Sequence, residues 1–289
     1  MTTLVPRIST RTPETDAAPW ALADLPPFPA VALRLLELLS QEDVDVEEVA
    51  RLIAAEPVFA ADVLRVANSA LYGRRAQVRS ISQAVIVLGL ERVRGISLTR
   101  AFGIYVLPAM GAEGLRRCWQ HSLAGAILAD RIAHASGFSR DVAYTAALLR
   151  DLGRLALLVK YPGPYSNLLA VLEQEDMDLL STERALFDID HCQAGEWLLR
   201  SMSLPGEFRE VVTGHHHKIP GRHFGLVDVV RVADRLSEAL GFGPLDQDGE
   251  EEDLDPLARE LPESARSILR QDRDEMRFDV QVQIQFFTA

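Results

Sequence analysis

The sequence predicts an all-α protein with one short β-like segment near its C-terminal end. Apolar residues recur at the i, i+3, i+4 spacing of a helical stripe through most of residues 20–241. Capping residues mark helix starts, and glycines mark helix ends. The alternating pattern of a strand occurs only near the C-terminus. We therefore expect roughly ten or more helices packed ridge-into-groove.

The helix signals follow one another along the chain in a consistent order. The first helix is expected to begin near Pro29, and Pro57 suits the first turn of a later one. Three pairs have the spacing of a capping box: Asp45 with Glu48, Ser80 with Gln83, and Asp190 with Gln193. Three glycines fall where left-handed C-terminal caps are expected: Gly73, Gly89 and Gly137.

These signals divide the chain into three parts. Residues 1–19 are predicted to be a flexible leader. Residues 20–241 form the helical domain, with an N-terminal part at 20–110 and a second part at 111–241. Residues 242–289 are predicted to be an acidic linker and a tail.

The tail contains the only strand-like pattern. Acidic residues are dense at 246–255, and a weak helix is expected to follow as far as Arg273. Residues 278–286 then alternate strictly between apolar and polar side chains, which predicts a half-buried strand. A lone strand is not stable, so it would pair with residues 4–8 or with a second protomer in a homodimer. The alternative is a frayed tail.

Composition excludes several classes of protein. The 289 residues are 48% hydrophobic and 25% charged, which argues against wholesale disorder and against a membrane protein. The longest uncharged stretches fall short of the ~18 residues that a bilayer span requires. Prolines and charges at the start of the chain leave no apolar core for a signal peptide. Two cysteines are too few for a disulfide framework, so we expect a cytoplasmic protein.

Charge is distributed unevenly. The net charge of −12 opposes direct binding to nucleic acid, because a phosphate backbone would be repelled. Between Arg74 and Arg100, however, the sequence has six arginines and only one acidic residue, Glu91. This patch is either a solvated face with arginines at helix ends or a docking site for an acidic partner or a phosphate.

The polar and aromatic residues around this patch are the candidate docking residues. They are Asn68, Tyr72, Arg74, Arg75, Arg79, Arg92 and Arg94. The alternative interpretation is structural, with Asn68 bracing a helix end and Tyr72 in the core.

A second group consists of histidines and aspartates on otherwise apolar helix faces. His121, Asp151, His191 and Asp234 each lie on such a stripe, and the run that includes His215 and His216 lies between the last two. Inward-facing polar groups need partners, so we expect these residues to converge. They would be either core residues that form hydrogen bonds with one another or the remains of a metal site.

Arg150 decides between these possibilities. Histidines and aspartates that converge from several helices can hold divalent metals that activate water against a phosphate ester. An arginine beside Asp151 would repel such a cation, since its guanidinium keeps its charge. We therefore expect no metal, no cofactor and no catalysis, with Arg150 paired to Asp151 or Asp234. Cys192 follows His191, and we expect it to point away, because adjacent helical residues diverge by ~100°.

The order of these residues resembles that of the HD phosphohydrolase superfamily, with Arg150-Asp151 where the superfamily has its His-Asp pair. The N-terminal part resembles one branch, the HDOD (HD-related output) domain. The matching segments are LPPFPAVA at 25–32, VANSALYG at 66–73 and ISQAVIVLG at 81–89. The resemblance extends over residues 22–240.

The resemblance implies an HD-like multi-helical domain that acts as a non-catalytic output or scaffold in bacterial signal transduction. Its partners would be signalling proteins, such as a response regulator or a component of a cyclic-di-GMP pathway. The sequence includes no companion domain of this kind, which leads us to expect a stand-alone adaptor. The alternatives are a metal-dependent phosphohydrolase and a binder of small nucleotides, such as cyclic dinucleotides, without catalysis.

Overall fold

The computed structural model confirms the all-α prediction. It describes residues 18–39, 45–69, 77–175, 177–202, 204–217, 223–245 and 254–288, and these ranges contain α-helices and no strand. The helices are α1 (Ala30–Leu39), α2 (Val46–Ala54), α3 (Pro57–Ala67), α4 (Ile81–Leu88), α5 (Leu90–Val106), α6 (Glu113–Ser136), α7 (Arg140–Leu149), α8 (Leu152–Lys160), α9 (Pro162–Leu172), α10 (Leu179–Phe187), α11 (His191–Ser201), α12 (Gly206–Gly214), α13 (Leu226–Ser237), α14 (Asp255–Glu260) and α15 (Arg273–Thr288). Within these ranges, no helix is both long and apolar enough to cross a bilayer.

Helix α6 lies at the centre of the fold. Of its 24 residues, 16 are buried, so the helix is enclosed on nearly all sides, as expected for a core helix. Its largest contacts are with α7 and α13, and α8, α9 and α15 pack around it as well. Helices α1 to α5 form the N-terminal part, which meets the rest of the protein chiefly where α5 packs on α7.

Most helix ends lie at the residues that the capping pattern of the sequence predicts. Asp45 and Ser80 accept hydrogen bonds from backbone amides at the starts of α2 and α4, and Asp190 forms a reciprocal capping box with Gln193. Gly137 ends α6 in the left-handed conformation with φ +77°, where a side chain would be strained. The predicted cap at Gly73 lies outside the described residues.

The prediction of a C-terminal strand is wrong. Residues 278–286 belong to α15, whose buried side chains are Met276, Val280 and Ile284, at every fourth position. The alternating pattern is compatible with this face, while Phe278 and Val282 stay exposed on the other side. A helix forms its hydrogen bonds internally, whereas a single strand here would have no neighbouring strand among the described residues.

The region after residue 253 packs on the domain rather than forming a separate tail. Leu257, Leu261 and Ala265 are buried in the same core. Glu260 on α14 lies 3.1 Å from the guanidinium of Arg235 on α13, and it also pairs with Arg231. The weak helix expected up to Arg273 is two short helical segments, α14 and a 3-10 helix at Glu263–Arg270. Residues 246–253, most of the predicted acidic linker, lie outside the described residues.

Candidate functional site: a histidine and carboxylate pocket

The polar residues predicted to converge do lie together in one pocket. His121 comes from α6, Asp234 comes from α13, and Arg150 and Asp151 form the junction between α7 and α8. His191 is the first residue of α11, while His215 and His216 follow α12. All of these are buried except His216, which is exposed and opens the pocket to solvent.

Close helix packing brings the pocket together. A Cβ atom at Gly153 on α8 would lie 2.0 Å from the backbone oxygen of His191, so only glycine permits this approach between α8 and α11. On α6, a Cβ atom at Gly125 would lie 2.4 Å from Arg150 Nη1. Glycine at this position therefore makes the space that the guanidinium fills.

Arg150 is wholly buried, and each of the three nitrogens of its guanidinium donates a hydrogen bond. Its Nε donates to Asp234 Oδ1 at 2.7 Å and lies 3.2 Å from Asp151 Oδ2. Its Nη1 donates to the Ala147 carbonyl at 2.8 Å, and its Nη2 donates to the His121 carbonyl at 3.1 Å. The expected pairing with Asp151 or Asp234 is thus present with both carboxylates.

These contacts set the charge state of Asp234. Burial alone would raise the pKa of this carboxyl, but Arg150 and then His121 hold it well below its usual value. His121 Nε2 lies 2.9 Å from Asp234 Oδ1. His121 Nδ1 lies 3.1 Å from the Phe242 carbonyl and 2.9 Å from the Ser237 hydroxyl, and burial and then Arg150 lower the pKa of the His121 ring.

The other side of the pocket is built from three histidines and Asp151. His191 Nδ1 lies 2.7 Å from Oε2 of the buried Glu183, and His191 Nε2 lies 2.8 Å from His216 Nε2. Burial alone would lower the pKa of His191, but Glu183 raises it to about 10. The two facing Nε2 atoms therefore share one proton.

His215 is oriented by a backbone carbonyl. Its Nδ1 lies 2.9 Å from the Val212 carbonyl, which can only accept, so the proton is on Nδ1 and the lone pair on Nε2. That Nε2 lies 3.8 Å from Asp151 Oδ1 and has no hydrogen-bond partner among the described residues. Burial lowers the pKa of His215 to about 4, consistent with a neutral ring.

Asp151 lies between the two sides. Neither of its oxygens accepts a hydrogen bond from the described part of the chain, although both are buried. Burial would raise its pKa, but Arg154 and then Arg150 hold it far below the usual value. Asp151 is therefore a carboxylate with unused acceptor capacity.

Two groups of side chains have ligand atoms close enough together to be considered as ligands of one metal ion. The first is His121, Asp234 and Glu238, whose ligand atoms lie within 4.8 Å of one another. This group does not fit a cation, because Arg150 already supplies a positive charge there.

The second group offers three imidazole rings, but the guanidinium of Arg154 already lies 3.2 Å from His191 Nε2. The group comprises His191, Cys192, His215 and His216, again with ligand atoms within 4.8 Å, and Asp151 borders it. Imidazole nitrogens are ligands that zinc and similar divalent metals prefer. The expectation that Cys192 points away from the site is wrong. The His191 ring extends far enough from the helix for its nitrogen to come near the neighbouring Sγ.

Two pocket residues were missed by the sequence analysis. Glu183 on α10 and Arg154 on α8 are both buried, and both contact His191. Glu183 and Phe187 are the buried residues of α10. The sequence signal for Glu183 was therefore an acidic residue on the apolar face of a predicted helix. Arg154 Nη2 lies 3.2 Å from His191 Nε2 and 3.4 Å from Asp151 Oδ1.

The predicted docking residues have different surroundings. Asn68 bridges the end of α3 to Val78 with two hydrogen bonds, as the structural interpretation expected. Arg94 is buried against Glu91 and the Leu38 carbonyl, and Arg92 pairs with Asp130 at 3.1 Å. Among the described docking residues, Asn68 and Arg79 have exposed positions. Three further docking residues, Tyr72, Arg74 and Arg75, lie outside the described residues.

The helical architecture and the pocket together define an HD-like domain in which an arginine precedes the central aspartate. The chain belongs to the HDOD family, since the family model of the HDOD domain matches residues 25–218. The family predicted from the sequence is thereby confirmed.

Individual proteins are similar to this chain. The chain is 25% identical to an HDOD domain protein of unknown function from Geobacter sulfurreducens, with a TM-score of 0.74 over 91% of this chain and 93% of that chain. It is 21% identical to a putative phosphohydrolase from Shewanella amazonensis SB2B, with a TM-score of 0.68 over 94% and 97%. An uncharacterized protein of Treponema pallidum (strain Nichols) is 24% identical over 78% of this chain, which spans 44% of that protein's length.

Proposed function

We propose that the protein is a non-catalytic output or scaffold protein of bacterial signal transduction that acts in the cytoplasm through protein–protein contact. Membership of the HDOD family supports the signalling role. The position of Arg150 carries the non-catalytic part of the proposal. Its guanidinium lies against Asp151 and Asp234, the two carboxylates that a catalytic pair of metals would need.

A hydrolysis assay tests the non-catalytic part. Purified protein is incubated with manganese or zinc and with two phosphodiesters, bis-(p-nitrophenyl) phosphate and cyclic-di-GMP. We expect no turnover above that of the matched variant Asp151→Asn. Metal-dependent turnover in the unaltered protein that disappears in D151N would overturn the proposal.

A capture experiment tests the protein-contact part. The arginine patch at Arg74, Arg75 and Arg79 is the expected docking surface, because it is basic on an acidic chain. Reversal of all three charges to glutamate should abolish capture of the partner that the unaltered protein retains from the native cell. The control is Arg51→Glu with Arg200→Glu, two exposed arginines on α2 and α11. Equal capture by the patch variant would refute docking at this surface.

Hydrolysis by a single metal is the second candidate function. It is favoured by the unused acceptors of Asp151 and His215, and one of the similar structures is called a putative phosphohydrolase. The assay with D151N separates it from the scaffold role.

Nucleotide binding without catalysis is a third possibility. It is favoured by Arg154, whose Nε and Nη1 are buried without a hydrogen-bond partner in the described ranges. Arg150 does not favour it, because each of its three guanidinium nitrogens already donates a hydrogen bond within the protein. A saturable rise in melting temperature on adding nucleotides would support this role.

A further inference from the structure

We propose that a groove between α11 and the N-terminal part of the protein binds a proline-containing peptide segment that carries a basic residue near each end. One side of the groove is α11, and the other is α1 together with residues 18–28, here called the entry segment. This inference goes beyond the proposed function, because the arginine patch would bind an acidic surface, whereas this groove would bind a basic one.

The groove consists of two neighbouring cavities that share the half-buried Trp197. The larger cavity has a volume of about 800 Å³, and eleven of its fourteen lining residues are apolar. The smaller cavity has a volume of about 320 Å³ and extends along α11 as far as Gln193. Cavities of this size with mainly apolar walls and a few polar groups are typical of binding sites.

The elongated shape of the groove fits an extended peptide. The lining residues of α11 run from Gln193 to Met202, nine positions apart, which corresponds to about 13 Å of helix. A polyproline II peptide rises ~3.1 Å per residue, so about four residues would cover this length.

The walls of the groove favour the polyproline II conformation. The described residues contain no strand, so a peptide has no strand edge here with which to pair its backbone. A polyproline II segment keeps its backbone solvated and docks against aromatic side chains. Trp197 and Phe28 supply such side chains from opposite sides of the larger cavity.

The entry segment is held in place by contacts within the protein. Trp20 Nε1 donates to Asp188 Oδ2 at 2.8 Å, which ties the entry segment to the end of α10. Phe28 stacks on Tyr105 of α5, with 4.1 Å between the ring centroids. A groove that is formed before its ligand arrives loses less conformational entropy on binding.

The charges of the groove select a basic ligand. Asp24 lines the larger cavity and Asp188 lines the smaller one, and neither forms an ion pair with the described residues. The other two acidic residues of the lining are already paired, one with Arg34 and one with Arg200. Because each cavity has one carboxylate without an ion pair, we expect an arginine or a lysine near each end of the peptide.

Selection from a display library of random twelve-residue peptides tests the proposal. The full-length protein is the target, and the selected peptides are synthesised with a fluorescein label so that fluorescence polarisation measures their affinity. We expect enrichment of proline together with arginine or lysine. Trp197→Ala should weaken binding at least tenfold, because a central tryptophan contributes strongly to an interface.

The charge contribution is tested by Asp24→Asn combined with Asp188→Asn. Both residues have positive φ, which asparagine tolerates, so the backbone is preserved. The double variant should lose about threefold or more in affinity for the basic peptides. The control is Glu47→Gln on α2, an exposed acid that lines neither cavity, and its affinity should not change.

Ser201→Arg keeps the test valid if W197A fails to fold. Ser201 is exposed on α11 and lines the larger cavity, so arginine would fill the groove and repel a basic peptide without leaving a hole in the core. We expect at least a tenfold loss of affinity. The matched control is Thr213→Arg on α12, an exposed residue outside both cavities whose hydroxyl also donates to a carbonyl of the preceding turn.

Several outcomes would overturn the proposal. They are selection without proline, enrichment of acidic peptides, and equal affinities of S201R and T213R. Proline-free peptides with apolar residues at helical spacing would assign the groove to a helical ligand instead. Self-association of the unaltered protein that S201R abolishes, measured by sedimentation, would assign it to a second copy. Charge reversal of the arginine patch should leave peptide binding unchanged, so a failure of the groove and a failure of the patch can be distinguished.

Discussion

Replacing Arg150 by methionine should severely destabilise the protein. The substitution keeps a long side chain of similar reach but removes the guanidinium that contacts Asp151 and Asp234. Both carboxylates would be left buried beside each other without this cation. Breaking a buried pair by removing one partner usually costs about 3–5 kcal/mol.

The carbonyl contacts add to this magnitude. The oxygens of Ala147 and His121 each lose a donor, at up to about 1 kcal/mol apiece. The expected loss in the free energy of unfolding is therefore about 3–7 kcal/mol. Lysine at position 150 keeps the charge and loses the forked geometry, so R150K should lose roughly half as much.

Urea unfolding followed by far-UV circular dichroism, in EDTA, measures these differences. The matched control is Arg51→Met, an exposed arginine with ion pairs of 3.5 Å, which should change stability by less than ~1 kcal/mol. The double variant R150M/D234N should recover at least ~1 kcal/mol of the R150M loss, since one stranded charge is removed. A loss below ~1 kcal/mol in R150M would refute the assignment of Arg150 as the internal cation of the pocket.

Three further predictions concern other parts of the domain. Gly153→Ala should cost at least ~2 kcal/mol, because its Cβ would meet the backbone of His191, whereas Gly163→Ala has open space and should stay within ~0.5 kcal/mol in the same unfolding assay. Burial raises the pKa of the Cys118 thiol to about 12, so iodoacetamide at pH 8 should modify it only in denaturant; rapid labelling of native protein, seen by peptide mass spectrometry, would contradict this. Burial also raises the pKa of Glu238 to about 8, above the ~4.3 of an unfolded chain. The stability that its bound proton contributes is lost as pH rises through about 8, so Glu238→Gln should gain stability relative to the unaltered protein between pH 6 and pH 9, and parallel pH profiles would contradict this.

Local sequence signals were sufficient for much of the fold. Helix starts at Asp45, Ser80 and Asp190 follow from capping hydrogen bonds that span only three residues, and such contacts are visible in the sequence. The strand prediction for 278–286 failed for a nonlocal reason. Its alternating pattern suits both a strand and a helix that buries every fourth residue, and the surface of α6 selects the helix.

The sequence by itself determined that the protein is helical, that polar residues interrupt several apolar faces, and that a permanent positive charge stands beside Asp151. These properties depend on residue type and periodicity alone. Only the tertiary structure decided that Arg150 bonds Asp234, that Glu183 orients His191, and which nitrogen of His215 carries its lone pair. The physical reason is that each of these contacts joins groups from different helices or depends on a local turn. Partner choice follows from how the helices pack around α6, and the His215 tautomer follows from the turn at the end of α12.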